Sequence, residues 1–307
     1  MDKVSILSPC YNGEKFIARF LEAILKQTYP NIQLVVVDDG STDKTLEIMR
    51  SYQGAFESRG YEYHVLTQEN GGQASAINRG LSVISGKYFT WPDSDDFLFP
   101  ESIAKRVEFL ENNPQYGMVL SNGNEYDEKG VTILRERVVK REQAETLVDC
   151  LLDMTAMFNN NGYLVHTDLF FKVYPNKRIY ESRAGQNIQI LLPLAVMSKC
   201  GYIEEPLYGR TIRAGSHSKQ LKDVEKRNEE LDKIVYNTIL SIPSGQALLL
   251  LRYTSRSIFA SILYYQGADS QKEKHYYKAL KQAIKKLKSY QRKIRLHKIK
   301  KRLTGKK

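Results

Sequence analysis

Several absences narrow what this chain can do. No Gly-x-Gly-x-x-Gly follows its first apolar run and no P-loop pattern is present, so a nucleotide bound here would not lie in a glycine-rich phosphate cradle. Cysteine is scarce: Cys10, Cys150 and Cys200 lie far apart, without metal-ligand spacing. That suits a reducing compartment and argues against a disulfide framework. Long apolar runs are also missing. The longest, Ala247–Leu251, falls far short of the roughly 20 residues that a spanning helix needs. The N-terminus carries no run that reads as a signal peptide. A cytoplasmic protein is expected.

Acidic residues are absent from 278–307, which hold 14 basic ones. Residues 1–218 carry 23 Lys+Arg against 28 Asp+Glu, a net charge of −5, whereas residues 219–307 carry 23 against 7, a net charge of +16. A slightly acidic body therefore precedes a basic tail, and the two need separate explanations.

The body begins with alternating strands and helices. Val4–Ser8, Ile32–Val37, Tyr61–Leu66 and Lys87–Trp91 read as strands; Glu14–Lys26, a stretch ending near Tyr52, Ala74–Val83 and Pro100–Asn112 read as helices. Alternation at this spacing predicts an α/β fold with a mostly parallel sheet and right-handed crossovers. Ligands of such sheets bind at the carboxyl ends of the strands. Three polar clusters fall there: Pro9–Gly13, Asp38–Asp43 and Asp93-Ser94-Asp95-Asp96. Carboxylates as crowded as the last group repel one another unless something offsets the repulsion. A divalent cation, Mg²⁺ or Mn²⁺, does so and brings phosphate oxygens with it. The competing reading is that Asp95 or Asp96 only caps the helix entered at Pro100.

The segments Pro9-Cys10-Tyr11-Asn12, Val37–Asp43, Asn70–Gly80 and Asp93–Asp96 with Pro100 after it together resemble the family 2 glycosyltransferases of the GT-A fold. They occur in that family's order and spacing over residues 3–110, and the likeness continues more loosely to about residue 218. The resemblance implies an inverting enzyme that moves a sugar from a nucleotide-diphosphate donor, most often a UDP-sugar, to a hydroxyl of a glycan or lipid-linked acceptor in bacterial surface-polysaccharide synthesis. A hexosyl or N-acetylhexosaminyl group would be transferred, with Mn²⁺ or Mg²⁺ as cofactor. Tyr11 would stack on the base and Asp39 would accept its ring N–H. Pro9, Asn12, Asn70, Gln73 and Asn78 would line the donor pocket. Asp93 would meet the ribose or sugar and share the metal with Asp95, and Asp96 would lie close to the sugar.

The middle of the chain departs from the family. Tyr116–Ser121 reads as a strand, Gly123–Lys129 as a polar turn, Val131–Leu134 as a short strand, and Lys140–Met157 as a helix. Where the family opens a helix with an acidic pair that includes the general base, this chain has Gln186 and Asn187. An amide cannot take a proton near neutral pH. Gln186 and Asn187 are therefore assigned to the acceptor, and Glu181, then Asp168, become candidate bases. Arg210 is expected in a loop that closes over the diphosphate, with His217 as a further metal ligand. One rival reading is a nucleotide-sugar-binding relative that lost catalysis with the acidic pair. A sugar-nucleotide pyrophosphorylase is a second, but it expects an Arg-containing Gly-rich loop that Pro9–Gly13 does not supply.

The expected domain boundary lies at 218, with a nucleotide-binding half over 1–110 and an acceptor half over 111–218. Residues 219–307 form a helical, basic extension. In 278–307 lysines interleave with an apolar stripe, which suits the headgroup layer of an anionic membrane. Attachment to the inner face of the plasma membrane is expected. No nucleic-acid motif accompanies the tail.

Overall fold

The computed structural model describes residues 1–138, 144, 147–152, 162–182, 185–213 and 224–243. Among these residues nine strands form one sheet: β1 (Val4–Cys10), β2 (Ile32–Asp38), β3 (Glu62–Thr67), β4 (Tyr88–Thr90), β5 (Phe97–Leu98), β6 (Tyr116–Tyr126), β7 (Ile133–Arg137), β8 (Tyr163–His166) and β9 (Lys199–Thr211). Their order is β3-β2-β1-β4-β8-β6-β9-β5, with β7 paired to β6 off this path. The first four strands are mutually parallel, and β8 turns antiparallel between β4 and β6.

Helices cover both faces. One layer holds α1 (Ile17–Leu25), α2 (Thr45–Ser51), α3 (Gln53–Arg59) and α5 (Ser102–Asn112). The other holds α4 (Gln73–Leu81), α6 (Leu147–Leu152), α7 (Thr167–Val173), α8 (Gln186–Met197) and α9 (Val224–Ser241). Strands sandwiched this way read as unbroken apolar runs because both faces are buried. In β2, Leu34 and Val36 join the first layer's core while Val35 and Val37 join the second. Gly80 lets α4 lie directly on Leu7 of β1, where a Cβ would sit 2.0 Å from Leu7 Cδ1.

Two expectations change here. β1 runs through Pro9 to Cys10 rather than breaking at Ser8. Cys10 O accepts from Asp39 N on the β2 side, so Pro9 turns its missing N–H toward β4, whose pairing with β1 has ended at Ile6. The polar turn expected over Gly123–Lys129 begins only at Asp127, and Gly123–Tyr126 instead complete an eleven-residue strand. Past Leu120 β6 loses β8 and gains β7, with β9 alongside throughout. Beyond residue 218, helix α9 has Ile234, Val235 and Ile239 buried in the same core as α8, with Ile242 just past its end. Among the described residues no helix is long and apolar enough to cross a membrane.

Candidate active site

The register of the parallel strands builds one edge. Cys10 pairs with Asp38, and Asp38 with Thr67, so Tyr11, Asp39 and Gln68 are each the first residue past the sheet. Tyr11 is 47% exposed, an unusual state for a large aromatic and suited to a stacking platform. Asn12 takes the left-handed region at φ 48°. Its Oδ1 accepts from Thr42 N at 2.8 Å and its own N–H donates to Ser41 Oγ at 2.9 Å, stapling the first loop to the second.

Asp39 is buried. Its Oδ1 accepts from Gln68 Nε2 (2.7 Å) and Gly71 N (2.9 Å), and its Oδ2 from Gly72 N (2.8 Å). A carboxylate has about four acceptor sites, so three are taken, two of them by the 70–72 loop, and one is left for a ligand. Gly40 makes this possible: at φ +74° a Cβ would stand 2.7 Å from Asn70 N. The role of Gln68 was missed in the sequence; its only signal is a polar residue in step with Asp39 across two strands.

The acidic turn follows β4. One carboxylate oxygen from each of Asp93, Asp95 and Asp96 lies within 4.8 Å of the others. Burial, then the charges of Asp95 and Asp93, push the Asp96 carboxyl well above its ordinary range. Asp96 Oδ1 accepts from Thr211 N at 2.7 Å, which ties it inward to the end of β9 rather than toward the open edge. Gln73 Nε2 donates to Asp93 Oδ1 at 3.0 Å. Asp93 and Asp95 stay half-buried and fit a hard divalent cation as oxygen donors; Asp96 fits less well because of its Thr211 bond.

Arg19 of α1 holds this turn; its only trace in the sequence is a basic residue inside an apolar helix pattern. Its Nη2 donates to Asp95 O (2.9 Å) and Thr211 Oγ1 (2.6 Å), and its Nη1 to Glu128 O (3.2 Å). Arg213 Nε lies 2.8 Å from Asp95 Oδ2 as an ion pair. Arg210 belongs to β9 and not to a loop. It faces Glu125 across the β6–β9 ladder, and Glu125 also meets Arg135 on β7; both ion pairs measure 3.1 Å. The pairing explains how a polar stretch runs as a strand: each buried charge meets a cross-strand opposite.

The acceptor-side residues divide. Gly185, at φ +72°, precedes α8. Asn187 Oδ1 accepts from Trp91 Nε1 at 3.1 Å, which brings α8's first turn beside the acidic turn. Gln186 is buried and donates to Ser182 O at 3.0 Å. Asn78 does not open onto the donor edge: its amide holds Ile179 N (2.8 Å), Ile179 O (3.2 Å) and Glu181 Oε1 (3.3 Å). Glu181 is an exposed residue paired with Arg178 at 2.7 Å. Asp168 is displaced outright. Because β8 runs antiparallel, Thr167 bonds back to Lys87 O and Gly86 O at the start of β4. Asp168 therefore sits at the opposite edge of the sheet, with about 13 Å of strand between Lys87 and Trp91 alone. His217 lies outside the described residues, as does 278–307.

The chain is similar to known glycosyltransferases. Glycosyltransferase GlyG of Streptococcus pneumoniae serotype 4 is 32% identical over 225 residues, 69% of this chain and 72% of that protein. An uncharacterized glycosyltransferase of Rickettsia prowazekii, RP339, is 32% identical over 172 residues, 55% of this chain and 52% of its own length. Among solved structures, S. aureus TarS (residues 1–349) in complex with UDP-GlcNAc superposes with a TM-score of 0.65 at 19% identity, covering 92% of this chain and 80% of that one. Mannosyltransferase PcManGT of Pyrobaculum calidifontis, in complex with GDP-Man and Mn²⁺, matches with a TM-score of 0.50 at 16% identity, covering 92% and 86%. At these identities the structural matches speak for the fold, which is GT-A. The model of the family "Glycosyl transferase family 2" matches residues 5–180, a stretch that includes Tyr11, Asp39 and the acidic turn, and the chain belongs to that family.

Proposed function

We propose that this glycosyltransferase is an inverting, metal-dependent enzyme that uses a nucleotide-diphosphate sugar, with UDP as the favoured carrier. The observation that carries the reading is the single edge that joins an exposed Tyr11, a buried Asp39 with one acceptor site left, and three carboxylates within 4.8 Å. Tyr11 would stack on the base and Asp39 would take its ring N–H. Asn12, Asn70 and Gln73 would border the donor, with Gln73 fixing Asp93 toward the ribose or sugar. Asp95, assisted by Asp93, would hold Mn²⁺ or Mg²⁺, which when bound supplies positive charge to the diphosphate leaving group. The TarS and PcManGT complexes, with UDP-GlcNAc and with GDP-Man and Mn²⁺, support a nucleotide-sugar donor and a metal on this fold.

Inversion requires the acceptor hydroxyl to attack the anomeric carbon from the face opposite the nucleotide, and its proton must leave. Asn187 would orient that hydroxyl beside Trp91. Glu181 would receive the proton after exchanging its Arg178 partner. The acceptor we favour is a glycan on a lipid carrier in surface-polysaccharide synthesis, with the basic segment 278–307 resting on the membrane. Calorimetry with nucleoside diphosphates and their sugars, with and without Mn²⁺, tests the donor reading. Micromolar, Mn²⁺-dependent binding of one nucleotide is expected, and no binding of any nucleotide would refute it. The amides at 186 and 187 favour one second reading, a binder without transferase activity. It requires that no nucleoside diphosphate be released when acceptor is added.

A further inference from the structure

Among the described residues two arginines contact Asp95, and they do so differently. Arg19 binds the main chain: its Nη2 donates to Asp95 O at 2.9 Å and to Thr211 Oγ1 at 2.6 Å. Arg213 meets the carboxylate. Its Nε lies 2.8 Å from Asp95 Oδ2, yet that N–H makes no hydrogen bond. The pair is therefore held by charge and not by a directed bond, whereas a guanidinium fully engaged with a carboxylate uses two parallel N–H groups. Arg213 Cζ rests 5.3 Å over the Phe16 ring, and its side chain is 31% exposed. The main chain just before it is anchored: Thr211 N donates to Asp96 Oδ1 at 2.7 Å and Ile212 N to Tyr126 O at 2.9 Å. Arg213 is thus a partly exposed cation on a fixed backbone, loosely attached to the oxygen that a metal would take. Crowded carboxylates call for an opposite charge. Asp93 accepts from Gln73 and Asp96 from Thr211 N, both neutral donors, while Asp95 meets a charge.

We propose that Arg213 is a resident counter-cation of the acidic turn: it competes with a divalent metal for Asp95 Oδ2 and gives way when a diphosphate offers the guanidinium another anion. The inference rests on the proposed metal at Asp95. A guanidinium and a divalent ion on one carboxylate oxygen repel each other. Metal binding alone would leave Arg213 without its anion. Phosphate oxygens remove that obstacle, because the guanidinium fork matches them as it matches a carboxylate. Metal and nucleotide should therefore bind as a pair, each raising the affinity for the other by the same factor. Between turnovers the exchange would keep the cluster charge-balanced, and it would admit the metal together with its diphosphate.

The test measures Mn²⁺ binding to the full chain by electron paramagnetic resonance, without nucleotide and then with UDP. Arg213→Gln and Arg213→Met both remove the charge, and the second keeps an unbranched stem over Phe16. Each should bind Mn²⁺ alone about tenfold tighter than the unchanged chain. Arg213→Lys, which keeps the charge, should show a smaller gain or none. UDP should tighten Mn²⁺ binding at least about tenfold in the unchanged chain and much less in the two neutral variants. The gain should vanish in the Asp95→Asn background. No gain in either neutral variant, with the far-UV spectrum intact, would overturn the inference. A gain that persists in the Asp95→Asn background would also overturn it, since the effect would then come from lost charge alone. Absence of UDP binding in every form would refute the donor reading and the exchange with it. UDP binding accompanied by equal Mn²⁺ affinity in all forms would overturn the exchange alone.

Discussion

The donor half and the acceptor half of this sheet solve the same problem by different means. In residues 1–110 the polar groups of the site are held by their own backbone surroundings: Asp39 by Gly71 and Gly72 N–H, Thr42 N by Asn12. In residues 111–218 the polar groups are held by side chains of other segments: Glu125 by Arg135 and Arg210, Asn187 by Trp91. The first arrangement follows from a short motif and the strand end it occupies. The second exists only after strands far apart in sequence have paired. On the proposed reading, donor recognition is fixed locally, while the acceptor side depends on the assembled fold and carries amides at 186 and 187.

The largest effect should come from the donor half. Asp95→Asn keeps the turn's shape, since the Arg19 and Thr211 bonds go to the Asp95 carbonyl. It removes a charge that the cation needs. Mn²⁺-dependent nucleotide binding should weaken roughly 100-fold or more, with the far-UV spectrum unchanged. The acceptor half supplies the next test. Glu181→Gln should lower kcat about 100-fold if the carboxylate takes the proton, whereas Asn187→Ala should raise the acceptor KM several-fold with kcat nearly intact. Full kcat in Glu181→Gln across pH 5–8 would move the proton to water and leave the acceptor half without a base.

How much of this was legible in the sequence follows the same division. Strands β1, β2 and β4 are buried on both faces and end in motifs, so their places could be read directly, though not the last two residues of β1. Residues 121–126 could not. Ser121, Asn122 and Glu125 are polar yet buried, because Ser121 accepts from Arg106 of α5, Asn122 bonds to Glu204 O and Tyr202 of β9, and Glu125 meets opposite charges on β7 and β9, and no periodicity in the chain shows those pairings. Arg210 was misplaced for the same reason. The direction of β8 decides the fate of Asp168, and antiparallel insertion into a parallel sheet leaves no local trace. Trp91 and Asn187 stood out separately, but their contact across 96 positions needed the fold.

Asp39 sharpens the contrast at a smaller scale. Asp39→Ala removes the base contact and also strands two backbone N–H groups, so nucleotide affinity should fall by about 1.5–3 kcal/mol and the 70–72 loop should loosen. Asp39→Asn, which retains one oxygen, should lose less. Equal affinity in all three forms would remove Asp39 from the donor site. The smallest effect serves as a control at the other end of β3 from the site. Lys3 first, then His64 and Gln33, pull the Glu62 carboxyl from its ordinary 4.5 down to about 2. A depressed carboxyl stabilises the fold above its unfolded value, and that stabilisation is lost as pH falls through about 2. Glu62→Gln should therefore lower the Tm slightly at pH 7 and not at pH 2, a modest change because the pair is partly exposed.

The central claim is that one strand-end edge binds a nucleotide diphosphate through Tyr11, Asp39 and a cation on Asp95. Titrating UDP into the full chain by calorimetry, with Mn²⁺ and then with excess chelator, tests it most directly. The account predicts a single site whose affinity drops at least about tenfold on chelation and falls again in Tyr11→Ala. UDP binding of equal strength with and without Mn²⁺, indifferent to Tyr11→Ala, would contradict it.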